Sequence, residues 1–392
     1  SECLVGSEMC IRDSAESVAL AWRFPGLASK DFEVLQVVSQ VLYNGKAGLI
    51  DLDLNQQQKV LNSYGYPMGL ADYSAFILGG LPKQGQTLEE VKDLLLNEIK
   101  KLRAGEFDEK MLQANINNFK LYELQSMESN EGRADIFVNS FINGTNWEDE
   151  VTAIDRMAKL TKEDIVAFAD KYLKEDNYAV VYKKQGKDPN EKKMTKPEIT
   201  PIVSNRDVAS PFLTSIQENA VKPIEPVFLD FKKDMSQLTA KSDIPVLYKQ
   251  NTTNDLFQLI YVFDMGNNND KALGTAFDYL EYLGTSDMTP EELKSEFYRL
   301  ACTFYVSPGN ERTYVVLSGL NENMPAAMQL FEKLLADAQV NKEAYNNLVG
   351  DILKARADAK LNQGQNFSRL MNYAMYGPKS PATNLLTEAE LA

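Results

Sequence analysis

The chain has 392 residues, 44% of them hydrophobic and 25% charged, which is ordinary globular composition and enough for two or three domains of roughly 100–200 residues. Its net charge of −15 argues against nucleic acid or an anionic membrane surface as a partner, each of which needs a basic face, and no run of roughly 18 apolar residues offers a membrane span. Histidine is absent altogether, so Ser-His-Asp and Cys-His catalysis and imidazole-ligated metals are ruled out within this chain.

The opening residues 1–14 show no strand or helix period, and their wording resembles translated sequencing-adapter sequence; they are expected to be an artefact or a disordered start. They hold Cys3 and Cys10, and the third cysteine, Cys302, lies in an apolar run as a buried small hydrophobe. A first block, residues 15–184, follows. It carries a strand at Val18–Phe24 and a helix at Asp31–Tyr43, with Val34, Leu35, Val38 and Leu42 at helical spacing. A second strand, Tyr73–Leu78, is expected to end at Gly79-Gly80. Thr87 and Glu90 form a capping box that opens a helix, and Gly105 stops it. Asp108 starts the next helix and Thr161 with Asp164 a further one, before a strand at Tyr178–Tyr182.

Periodicity is then lost. Prolines 189, 197, 201, 211, 223 and 226 mark residues 185–243 as an inter-domain linker. The second block, residues 244–392, repeats the order of the first: a strand at Phe257–Phe263, a helix at Lys271–Leu283, and a cap at Thr289-Pro290 with Glu292. A strand pair at Cys302–Ser307 and Thr313–Leu317 comes next, then helices at Met324–Ala338 and Asn341–Leu361. Thr387 and Glu390 have the spacing of one more capping box, so the chain reads as cut before a further helix. Corresponding elements of the two blocks lie roughly 235–240 residues apart, too long a period for a solenoid, and this reads as a duplicated domain. The expected fold class is α+β: two homologous layered domains, each a mostly antiparallel sheet with helices on one face, joined by the Pro-rich linker. Paired acids at Glu89–Glu90, Asp149–Glu150 and Glu291–Glu292 read as solvated helix starts, and the sequons at Asn143, Asn251 and Asn366 as chance.

Three passages carry a family resemblance. Lys101-Leu-Arg-Ala-Gly-Glu-Phe107 lies between paired helices. Thr161–Leu173 runs into the strand after Asn177. Leu283-Gly-Thr285 ends a helix and is followed by Met288–Leu293 and a strand pair. Together they resemble the insulinase–pitrilysin family of zinc metallopeptidases, over about Ser17–Asn384. In that family an inverted H-x-x-E-H motif precedes the Leu-Gly-Thr turn. Two histidines one helical turn apart hold Zn²⁺, and the glutamate between them activates water. Here those positions fall on Thr275, Asp278 and Tyr279, and the Asp351–Asp358 stretch downstream offers no partner ligand.

The resemblance implies a fragment: a second domain, the linker, and a degenerate third domain. No catalytic residue, metal ligand or cofactor is expected in this chain, and no substrate-contacting residue can be assigned. Zinc is expected in an N-terminal domain upstream. The implied function is that of the non-catalytic central part of a zinc metalloendopeptidase that encloses peptides in a clamshell chamber. Its partners would be peptide substrates and flanking domains or an active partner subunit, with no nucleic acid and no membrane insertion. The alternative is a non-catalytic peptide-binding or scaffold subunit of the same fold. A periplasmic or cell-envelope location goes with the resemblance, a cytoplasmic one being the other option.

Overall fold

The computed structural model describes residues 6–11, 15–186, 198–201, 204, 206–380 and 383–392. Residues 1–5 and 12–14 of the expected artefact, and linker prolines 189 and 197, lie outside them. The chain divides into two compact units, one of residues 1–188 with 253–392 and the other of residues 189–252.

In the first block, β1 (Gly6–Ile11), β2 (Ser17–Pro25), α1 (Lys30–Leu42), β3 (Asn62–Met68), β4 (Tyr73–Leu81) and α2 (Leu88–Arg103) come in chain order. Helices α3 (Lys110–Ser126), α4 (Asn130–Asn143), α5 (Trp147–Val151), α6 (Ala153–Met157) and α7 (Lys162–Tyr172) lead to β5 (Ala179–Gln185). The sheet order is β1-β5-β2-β4-β3, antiparallel except for the β1–β5 pair. Period-two alternation on β2 sends Val18, Leu20, Trp22 and Phe24 to one face, where Leu35, Val38 and Leu42 of α1 and Val91, Leu95 and Leu102 of α2 cover them. Phe24 stacks on Phe168 of α7 at 5.8 Å, and the Trp22 indole N–H donates to the Lys174 carbonyl at 3.2 Å. Burying one such aromatic contributes about 2–3 kcal/mol.

Helix starts follow the sequence chemistry. Thr87 and Thr161 form reciprocal capping boxes with Glu90 and Asp164, and Gly105, at φ +70, ends the turn after α2 in the left-handed region that glycine tolerates. Two expectations are corrected. The opening stretch contains strand β1, because pairing at the free edge of β5 uses backbone groups and needs no side-chain period. Strand β4 runs through Gly79-Gly80 to Leu81 instead of stopping there. The glycines are there for space: a Cβ at Gly79 would lie 2.2 Å from the Tyr64 ring, and one at Gly80 2.4 Å from Val91.

The 189–252 unit holds α8 (Pro211–Gln217), capped by Ser210, and a two-stranded antiparallel ribbon of β6 (Ser236–Thr239) and β7 (Pro245–Tyr248). Asp243, at φ +58, sits in the ribbon's connection. The Pro-rich stretch therefore carries short local structure rather than none.

The second block comprises β8 (Leu256–Phe263), α9 (Leu273–Leu280), α10 (Pro290–Arg299), β9 (Cys302–Pro308) and β10 (Thr313–Leu320). Helices α11 (Met324–Asp337), α12 (Lys342–Ala359), α13 (Gln363–Tyr376) and α14 (Glu388–Leu391) complete it. Its antiparallel sheet, β8-β10-β9, packs one face on α10 and α11. There Phe304 sits between Phe297 and Phe331 at ring distances of 5.1 and 4.9 Å. The order matches the first block, with β2, β4 and β3 answering to β8, β10 and β9. The expected α+β class, with mostly antiparallel sheets and helices on one face, is the observed one.

Within their shared unit the two blocks meet along α3 and α10. Tyr298, Ala47 and Ala114 form a small buried cluster there. The Tyr298 hydroxyl donates to Asn115 Oδ1 at 2.8 Å, and Asn118 Nδ2 donates to the Tyr298 carbonyl at 2.8 Å.

Candidate functional site

The degenerate motif positions lie together on α9, which is shorter than the expected Lys271–Leu283 helix. Its run Leu273–Leu280 is apolar apart from Thr275 and Asp278, and a turn ends it before Leu283-Gly-Thr285. Thr275 and Tyr279 are one turn apart and share a face, as the first and last positions of a metal motif would.

The Tyr279 side chain has another role. The Tyr279 hydroxyl donates to the Asn341 carbonyl at 2.7 Å and accepts from the Asn341 N–H at 2.8 Å. Its ring meets Tyr345 edge-on at 5.3 Å and 76°. Asn341 is itself the cap of α12, so Tyr279 bolts α9 to the start of that helix. Asp278 is an exposed residue whose carboxyl is held above its ordinary value, first by desolvation against the helix and then by the Glu281 charge. Downstream on α12, Asp351 pairs with Lys83 of the first block at 3.2 Å and Asp358 with Lys354 at 2.5 Å. Among the described residues no group of three or more His, Cys, Asp or Glu could hold a metal ion. Zinc does not fit this helix: the ring at the second imidazole position is committed to the Asn341 backbone, and Asp351 and Asp358 downstream are paired with lysines.

The Leu283-Gly-Thr285 turn is held by its own hydrogen bonds. Leu283 and Thr285 are buried; Thr285 donates its hydroxyl to Asp287 at 2.8 Å, and its N–H to the Met288 carbonyl at 2.9 Å. A Cβ at Gly284 would lie 2.4 Å from that same carbonyl oxygen, so the turn needs glycine. Cys302 is buried as expected, its Sγ 3.4 Å from the Leu300 carbonyl, and burial pushes its thiol up to about 11, which leaves it unreactive.

Sequence reasoning missed a buried carboxylate clip beside the seam. Asp51 opens a single π-helical turn, Asp51–Gln56, and its Oδ2 accepts the backbone N–H groups of Asn44, Gly45 and Gly48 at 2.8, 3.0 and 3.0 Å. Burial nevertheless pushes the carboxyl up to about 6, outweighing those three bonds and the attraction of Lys294. Lys294, on α10, is lowered by its own burial, with Glu281 acting against that at 3.6 Å. Nothing in the run Asp51-Leu-Asp-Leu distinguishes one aspartate from the next; only the chain reversal at Asn44–Gly48 does.

The seam also carries an open groove of about 600 Å³ between α3, α10 and residues 47–53. Ala47, Leu52, Met111 and Ala114 form its apolar lining, and carboxylates of α10 stand around it. Among the described residues no helix is long and apolar enough to cross a membrane.

Comparison with known proteins gives these positions a family context. Residues 7–119 match the family model described as the peptidase M16 inactive domain. No curated protein matches the chain. Among solved structures, a protease from Helicobacter pylori is 21% identical, over 46% of this chain and 44% of that one, with a TM-score of 0.44. The periplasmic protease PqqL from Escherichia coli is 14% identical over 98% of this chain and 46% of that one, with a TM-score of 0.36. The inactive peptidase domain of a zinc-protease candidate from Bordetella parapertussis is 16% identical over 47% of this chain and 99% of that one, with a TM-score of 0.41. This chain thus spans less than half the length of the Helicobacter and Escherichia proteins. The match of residues 7–119 to the peptidase M16 inactive-domain model, rather than these distant likenesses, bears out the resemblance read from the sequence.

Proposed function

We propose that this chain is the non-catalytic central part of a zinc metalloendopeptidase, forming wall and hinge of the compartment in which peptides are held and cut. The observation that carries this reading is Tyr279. At a position where the family holds zinc, the side chain is turned into a bolt between α9 and α12, while the surrounding domain keeps its sheet, its Leu-Gly-Thr turn and its helix order. The inactive-domain match over residues 7–119 supports the same assignment for the first block. In this reading the metal chemistry belongs to a domain encoded upstream, and this segment contributes confinement and positioning. A periplasmic or cell-envelope location goes with the family resemblance.

The test is to express the chain alone and as part of its full reading frame, then follow hydrolysis of a quenched fluorescent peptide with zinc present. The parent should cleave and lose activity to a chelator, and the isolated chain should not turn over. Cleavage by the isolated chain would overturn the proposal. A parent lacking both an upstream H-x-x-E-H and activity would make the chain a binding or scaffold subunit.

A further inference from the structure

The groove between α3 and α10 has a composition that selects a ligand. Its lining is apolar and its rim is acidic: Asp53, Asp108, Asp287, Glu291, Glu292 and Glu296 stand against Lys110 and Arg299. Several of the acids are already engaged. Asp53 is paired with Lys101 at 2.7 Å, Asp287 with Lys333 and Glu296 with Arg299 at 2.5 Å, and Glu292 closes the capping box of α10. Asp108 and Glu291 have no ion-pair partner among the described residues, and Lys110 is the one rim cation outside the pairs just named.

An anionic ligand would meet these carboxylates as like charges. A wholly apolar ligand would desolvate them without compensation. A Lys or Arg side chain satisfies both parts, its methylene stem lying on apolar surface and its head group among carboxylates. Neighbouring apolar residues of the same segment would cover the remaining floor.

We propose that this groove docks an extended peptide segment in which Lys or Arg alternates with apolar residues. The proposal deepens the peptide-handling reading above and names a subsite for it. It concerns binding by this chain without metal, so it can fail while the parent remains a peptidase, and the reverse also holds.

The test is fluorescence anisotropy on the full 392-residue chain. The probes are two fluorescein-labelled decapeptides, one of alternating Lys and Leu and one of alternating Glu and Leu. The Lys-Leu peptide should bind, weaken as salt rises from roughly 0.05 to 0.3 M, and weaken about tenfold in Asp108→Asn with Glu291→Gln. Asp108→Asn keeps the side-chain oxygen that accepts the Lys110 N–H at 3.0 Å, so the start of α3 is retained. Ser295→Trp, which puts an indole in the groove, should abolish binding; if that variant does not fold, the charge variants still decide. Equal binding of the Glu-Leu peptide, Lys-Leu binding that the Asp108 and Glu291 changes leave intact, or no binding of the Lys-Leu peptide would each overturn the proposal.

Discussion

Asp51→Asn isolates the cost of a buried charge from the value of the hydrogen bonds it makes. Asp51 is 6% exposed and its carboxyl is pushed from 3.8 up to about 6. At about 1.4 kcal/mol per pH unit, that is about 3 kcal/mol of lost stability once the group is ionised. The sign follows from proton binding. Between pH 3.8 and 6 the unfolded chain gives up the Asp51 proton while the folded chain keeps it, so this contribution falls as pH rises, and the cost is complete above pH 6. Asparagine keeps one oxygen for the N–H groups of Asn44, Gly45 and Gly48, removes the charge, and leaves its own amide N–H₂ needing partners, at about 1–3 kcal/mol. That amide cost is the same at every pH. The stability difference between variant and wild type should therefore move in favour of the variant by about 3 kcal/mol between about pH 4 and pH 7.5. Urea unfolding, followed through the buried Trp22, measures it at each pH. A pH-independent difference, or one moving against the variant, would mean that the three N–H bonds outweigh burial, and the reasoning would fail.

Three further outcomes are expected. Tyr279→Phe removes both hydrogen bonds to Asn341 and should cost about 1–2 kcal/mol by chemical denaturation, with faster amide exchange at the start of α12. Gly79→Ala drives a methyl into the Tyr64 ring and should destabilise by about 1–3 kcal/mol, most of it recovered when Tyr64→Ala opens the space; no recovery would mean that backbone strain rather than the ring clash is at fault. Added zinc should leave Tm unchanged, whereas a site filled at a hundred times its Kd would add about 2.7 kcal/mol and overturn the degenerate assignment.

Long amphipathic helices and their caps were legible because both signals are local. Thr87 with Glu90, Thr161 with Asp164 and Thr289 with Glu292 all form the reciprocal boxes their spacing announces. Strand β3 was not read, since Asn-Ser-Tyr-Gly-Tyr-Pro-Met mixes turn residues with apolar ones. The duplication held the missing signal: β9 was recognised, and β3 begins 240 residues before it, the same offset as its neighbours. The Asp51 clip and the Tyr298–Asn115 contact had no local signature, because each joins groups far apart in sequence or depends on how a loop turns.

On the reading that α9 carries a degenerate metal motif, its side chains fasten elements together in place of a metal. A bound ion ties ligands from two helices together and thereby contributes to folding. Here α9 and α12 are joined instead by the Tyr279 hydroxyl and the Tyr279–Tyr345 edge contact, while Lys83 holds Asp351 of α12 to the first block. The Lys83 pair adds a tie across the seam between the blocks. In the proposed reading of this chain as a chamber wall, that tie helps hold the two blocks in one unit.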